Sequence, residues 1–263
     1  DNPNVVAVAG CLRVRNAADS LVARLQGLEY VLSIGAGKTG LAEFNVVNNI
    51  SGAFGVFRTQ FIRNMGGWDA GTAEDLDITL RIKQYFGRYP NLRIAFEPHA
   101  VGHTDAPTSW RVFWRQRLRW DGDLYYLFVR KYMHNIRPSL LGWRNFFFTL
   151  INGVGMQLLL PFMIVTYTAI MLWFLPFGSV LGMLAFLYLI YLASAVVLFV
   201  LYLVAVSERP KQDLLYFLYL PLMPVFAFTN RVHSAISLLQ EAVTKSHLDS
   251  SMAPWWVLRK TKY

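Results

Sequence analysis

The sequence predicts an α/β layer in its first part, joined to a helical part embedded in a membrane. Three observations carry this reading. Short β-branched runs alternate with amphipathic stretches over residues 1–109, the pattern of strands laid against helices. Residues 145–207 contain no charged side chain. The 263 residues are 55% hydrophobic and only 16% charged, whereas a soluble domain usually carries about a quarter charged residues. Disorder and collagen-like structure are excluded. The single cysteine, Cys11, excludes a disulfide scaffold and offers no zinc cluster.

The elements follow in order. Asp1-Asn2-Pro3-Asn4 reads as a turn and the apolar run 5–9 as a buried strand, and no signal peptide is expected in this stretch. A chain that opens at a turn before a core strand is expected to be part of something longer, or to pair with another polypeptide. Residues 21–32 repeat leucine at helical spacing (Leu21, Leu25, Leu28, Leu32). Residues 44–47 and 54–57 are strand-like and flank Ser51-Gly52. Residues 74–86 are helical and residues 93–96 form a further short strand. Residues 110–132 form one long helix in which Trp, Phe and Tyr are mixed with Arg and Lys, a composition suited to a bilayer interface.

Pro176-Phe177-Gly178-Ser179 divides the uncharged stretch into two segments, each longer than the roughly 20 residues that cross a bilayer. These are expected to form a transmembrane hairpin. Residues 214–229 are shorter and interrupted by Pro221 and Pro224. The excess of Lys and Arg after Thr229 favours a cytoplasmic tail and a re-entrant, non-crossing third segment. The organisation is then an α/β unit (1–109), an amphipathic interfacial helix (110–145), a hairpin (146–206), a third hydrophobic or re-entrant segment (207–245) and a basic aromatic tail (246–263).

The formal charge of +9 suits membrane lipids with anionic headgroups and a phosphate-bearing substrate. Nucleic acid is not an expected partner: outside residues 110–131 no basic run is interleaved with aromatics.

Four motifs carry residue types suited to chemistry. Gly35-Ala36-Gly37-Lys38-Thr39 lacks the glycine and the preceding strand of a phosphate loop, and reads as a flexible loop. His99 and His103 resemble a metal pair, but Pro98 and Gly102 oppose the helix that would align them, so they read as loop histidines. Thr72-Ala73-Glu74-Asp75-Leu76-Asp77 reads as a capping box with Thr72 as cap. It also reads as a general base, a carboxylate fixed at a helix start beside a cleft. Gln116, Arg119, Trp120 and Asp123 fall at i, i+3, i+4 and i+7 on one helix face. Such a face offers an amide, a guanidinium fork suited to diphosphate and an indole suited to a sugar ring.

The two last clusters, in this order and followed by membrane spans, resemble the processive membrane glycosyltransferases of family 2. That group includes cellulose, chitin, hyaluronan and poly-N-acetylglucosamine synthases. Residues 2–10 with Arg13-Val14-Arg15-Asn16 look like the strand and loop after the family's donor-site carboxylates. Ser51-Gly52-Ala53-Phe54 resembles its strand beside the acceptor. Ala73-Glu74-Asp75 resembles its Thr-Glu-Asp motif, with Ala73 in place of Thr, and Gln116 to Trp120 matches its Gln-x-x-Arg-Trp motif.

The resemblance implies the C-terminal half of a GT-A nucleotide-sugar transferase domain followed by transmembrane helices. It implies Asp75 as catalytic base with Glu74 beside it, and Gln116 and Arg119 on the donor diphosphate. Trp120 and Gly52 would lie at the acceptor. The implied reaction moves a hexosyl unit, GlcNAc or glucose, from a UDP-sugar to a growing extracellular polysaccharide, with inversion and export. Arg13 to Asn16 leans toward the poly-N-acetylglucosamine synthases. A single addition to a lipid-linked acceptor, and a non-catalytic membrane subunit or receptor component, are the alternatives. Mg2+ or Mn2+ is the implied cofactor. Its Asp-x-Asp ligands are expected upstream of this chain, in a missing N-terminal half or a partner subunit, since Asp1 and Asp19 stand alone. On that expectation the chain by itself binds nucleotide sugar poorly and catalyses little. The implied location is the cytoplasmic (inner) membrane, multi-pass, with the catalytic part facing the cytoplasm.

Overall fold

The computed structural model describes residues 2–69 and 73–244. A three-stranded mixed sheet has the order β2-β1-β3. Its centre, β1 (Val5–Val14), runs antiparallel to the short β2 (Gly55–Phe57) and parallel to β3 (Arg93–Thr104). Alternating β-branched and small residues make β1 almost wholly buried, as befits a central strand covered on both faces.

Ser20 caps α1 (Leu21–Tyr30) by accepting the Ala23 N–H. The helix does not stop there. It widens into π-type turns over Val31–Lys38 and continues as α2 (Thr39–Glu43). The expected flexible loop at residues 35–39 is therefore helical. Gly35 is there for close packing, because a Cβ would stand 2.6 Å from the Tyr202 ring. The expected strand at 44–47 is also absent. Asn45 turns the chain with φ of 52°. Its side chain accepts from Ile94 N–H at 3.1 Å and donates to the Leu92 carbonyl at 2.8 Å, so this segment is tied to the sheet by one side chain rather than by a ladder. Ser51 to Phe54, expected as a strand, is likewise irregular.

After α3 (Thr59–Asn64), α4 (Glu74–Lys83) packs Ile78 and Ile82 against Val6, Ala7 and Ala9 of the sheet. Thr72, the expected cap, lies outside the described residues. The cap position of α4 is Ala73, which makes no side-chain cap bond. His99 and His103 lie on β3 rather than in a loop. The register steps from Gly10–Glu97 to Cys11–Val101, so residues 98–100 bulge out of the strand.

The long helix expected at 110–132 is α5 (Trp110–Tyr125), continued by π-type turns over Tyr126–Lys131. The first apolar helix, Pro138–Phe174, contains α6 (Pro138–Phe148), π-type turns over Thr149–Leu159 and α7 (Leu160–Phe174). Gly142, with φ of 69°, kinks its start. Chain reversal at Leu175-Pro176 leads into α8 (Phe177–Ala205), at the break expected from the sequence. The third apolar stretch runs from α9 (Pro210–Asp213) through a 3-10 segment, Leu214–Leu222, into α10 (Met223–Thr244). It is continuous: Pro221 lies inside the 3-10 turns and Pro224 in the first turn of α10, where a missing N–H is tolerated. All three stretches are long and apolar enough to cross a bilayer.

The two parts share one core. Val22, Leu25 and Leu28 of α1 and Phe113 of α5 pack with Phe199, Tyr202, Leu220 and Phe226 of the apolar helices. Arg13 at the end of β1 reinforces this junction. Its guanidinium donates to both Asp213 carboxylate oxygens at 2.8 and 2.9 Å and to the Tyr202 hydroxyl at 2.7 Å. Away from the junction the apolar helices present their side chains outward, with Trp173 and Val204 each 83% exposed. That arrangement suits lipid as solvent and not water.

Candidate active site

A cleft of about 490 Å³ opens between the start of α4, the loop before β2, α1 with its π-type turns, and α5. All six site residues expected from the sequence line it: Gly52, Glu74, Asp75, Gln116, Arg119 and Trp120. Asp123, the fourth residue of the α5 face, lines it too.

One wall is acidic. Glu74, Asp75 and Asp77 fill the first turn of α4, where the helix dipole favours negative charge. The Asp75 carboxylate accepts from Leu76 N–H at 2.7 Å and faces the Gly52 N–H at 3.4 Å. Gly52 lies close under the acid pair: a Cβ there would stand 2.8 Å from Glu74 Oε1 and push that carboxylate aside. Burial pushes the Glu74 carboxyl up, and the Asp75 charge adds to this, while Arg119 opposes it. The acid pair and the arginine thus feel each other across the cleft.

The opposite wall is the α5 face. Arg117 lies over the Trp120 ring at 4.9 Å and over Phe113 at 5.0 Å. It is held by an ion pair to Glu29 of α1. Gln26, one turn before Glu29, donates its amide to Gln116 Oε1 at 2.9 Å. Sequence reading missed Gln26 and Glu29. The available signal was two polar residues at i, i+3 in a leucine-rich helix. Arg117 lies against one indole face of Trp120, and the Trp120 side chain lines the cleft.

Two further residues were missed. Lys38 is 4% exposed and lines the cleft. It donates to the Asn49 carbonyl at 2.9 Å, and burial pushes its amine down to about 8 against the pull of Asp75. Lys83 also reaches the lining, with its ammonium 5.2 Å from the Phe148 ring centroid, and burial pushes it down to about 7.

Where the cleft meets the first apolar helix its lining stays polar. Thr149, Asn152 and Gln157 line it, and Gln157 donates to Asn152 at 3.2 Å. The π-type turns turn these side chains toward the cleft, a common setting for such turns. Among the described residues no group of three or more His, Cys, Asp or Glu could hold a metal ion. These residues do not fit a divalent-metal site.

The arrangement joins a carboxylate pair, a cationic amide-and-guanidinium face and an aromatic plane around one space. Comparisons with known proteins give the family of the chain. Residues 2–230 match the family described as "Glycosyl transferase family group 2". A poly-beta-1,6-N-acetyl-D-glucosamine synthase of Staphylococcus epidermidis is 28% identical over 141 residues, covering 53% of this chain and 33% of that protein. One from Staphylococcus aureus (strain COL) is 29% identical over 138 residues, covering 52% and 32%. A probable glycosyltransferase, YdaM, of Bacillus subtilis (strain 168) is 31% identical over 125 residues, covering 47% and 29%. The chain thus spans about a third of the length of these relatives. With the family model matching most of the chain, this protein belongs to glycosyl transferase family group 2.

Proposed function

We propose that this chain supplies the acceptor side and the diphosphate clamp of a membrane polysaccharide synthase. The enzyme moves a hexosyl unit from a UDP-sugar to the end of a growing glycan. The observation that carries this is the pairing of Asp75 with the Gln116–Arg119–Trp120 face across one cleft.

In the proposed step Asp75 takes the proton of an acceptor hydroxyl, helped by its fixed place at a helix start. The freed oxygen attacks the anomeric carbon, and the new C–O bond forms as the bond to the diphosphate breaks. A single displacement inverts that carbon. Negative charge grows on the departing diphosphate, where the Arg119 guanidinium and the Gln116 amide are positioned to meet it. The Trp120 indole stacks on the terminal sugar, and the polar path past Asn152 and Gln157 leads the product toward the membrane helices. Mg2+ or Mn2+ would neutralise diphosphate charge from ligands outside this chain.

The relatives' names support N-acetylglucosamine as the transferred sugar, and the outward apolar faces support residence in the cytoplasmic membrane. The test is product sizing with the full-length protein in membranes, given radiolabelled UDP-GlcNAc or UDP-glucose. A ladder of long chains from one donor supports the proposal. One added sugar on a lipid carrier would replace it with a single-addition transferase. No incorporation from either donor would leave a subunit that keeps the shape without turnover.

A further inference from the structure

Thr79 lies one helical turn after Asp75 and is 0% exposed. Its hydroxyl is used twice. Oγ1 donates to the Asp75 carbonyl at 2.7 Å and accepts the Ile50 backbone N–H at 2.9 Å. A hydroxyl carries one proton, so its donation to Asp75 leaves the lone pairs for Ile50.

Donation from a helical threonine to the carbonyl four residues back is common and by itself only structural. The second bond is different, because it crosses to another part of the chain. Residues 46–50 form no regular structure, so the buried Ile50 N–H has no ladder to join. Thr79 is its partner. Two residues further on, the Gly52 N–H faces Asp75 Oδ2 at 3.4 Å. On the other side Lys38 holds the adjacent residue through the Asn49 carbonyl at 2.9 Å. The loop carrying Ser51 and Gly52 is therefore latched at two neighbouring residues, and one latch runs through the backbone of Asp75 itself.

We propose that Thr79 is a positioning residue for sugar transfer, fixing the acceptor-side loop against Asp75 so that a hydroxyl resting on Gly52 lies within reach of the carboxylate. This rests on the reading of Asp75 as the base. A shift of about 1 Å in such a geometry lowers rate by up to about a hundredfold without touching donor affinity.

The test uses the full-length protein in membranes or detergent, with folded sites counted by UDP binding. Thr79→Val keeps the shape and removes the hydroxyl; Thr79→Ser keeps the hydroxyl. The expected result for Thr79→Val is a kcat per UDP-binding site lowered about ten- to a hundredfold, with donor KM within about twofold of the parent. Thr79→Ser should recover most of the rate. A Thr79→Val rate per site within about twofold of the parent would overturn the proposal, whatever its thermal stability. So would a Thr79→Ser variant as slow as Thr79→Val. If Thr79→Val yields no UDP-binding protein, Thr79→Cys keeps the volume with a much weaker acceptor and carries the same two outcomes. Asp75→Asn run alongside separates the two ideas. Transfer surviving in Asp75→Asn removes the base assignment. Transfer lost there but intact in Thr79→Val removes only the positioning role.

Discussion

The two walls of the cleft are built by different physics. Around Asp75 the acidic wall is fixed chiefly by hydrogen bonds involving backbone groups: the Ile50 N–H to Thr79, Lys38 to the Asn49 carbonyl, and backbone N–H groups toward the Asp75 carboxylate. The α5 wall is fixed by charge, with Glu29 pairing Arg117 and Arg117 lying against Trp120. Amide donors aimed at the Asp75 carboxylate fix its orientation. A surface meant to bind a diphosphate gains from cations whose geometry is set by other charges. The contrast predicts that damage to each wall is read in a different kinetic constant.

On the α5 wall, Arg119→Met should weaken UDP-sugar use most, lowering kcat/KM by about a hundredfold or more. Steady-state kinetics over donor concentration check it. An unchanged donor dependence would take the diphosphate away from this wall. Trp120→Ala should act on the acceptor instead, raising the concentration of added oligosaccharide primer needed by about tenfold, with UDP binding little altered. Equal losses of donor and primer use would contradict stacking on the indole.

The smallest effect concerns the base of the acidic wall. Folded Lys83 releases its proton at about 7 and the unfolded chain holds it to about 10.5. Across that window the unfolded state binds more protons, so stability rises with pH. Lys83→Met should therefore raise the unfolding temperature by a few degrees, about the shift of one or two kcal/mol, near pH 7. The gain should shrink toward zero near pH 10.5, the value the amine regains on unfolding. Unfolding curves in detergent at several pH values check this. A gain that does not vary with pH would show that burial of the charge is not its source.

What the sequence made legible was local. Glu74 and Asp75 are neighbours, and Gln116, Arg119 and Trp120 share one helical ridge, so chemistry and spacing appear together. The first two long apolar helices were legible because lipid demands long uncharged helices, whereas the third, expected as a short re-entrant segment, is a continuous stretch long and apolar enough to cross. What escaped depended on distant pairing. Val46 and Val47 suggested a strand, but Asn45 turns the chain and its side chain replaces the ladder. The glycines at 35 and 37 suggested a loop, but helix packing against Tyr202 requires the small residue. Thr79, Lys38 and Glu29 take their roles from partners 29, 11 and 88 positions away. Arg13 was legible only as part of a family-like segment, and its structural partner Asp213 lies 200 positions away.

The central claim is that Asp75 is the proton acceptor of a transfer carried out between these walls. It is tested most directly by Asp75→Asn in the full-length protein, with UDP binding by calorimetry and sugar incorporation measured on the same preparation. The account predicts UDP affinity within about twofold of the parent and incorporation lowered at least about a hundredfold. Incorporation within about threefold of the parent, with UDP bound normally, would contradict it.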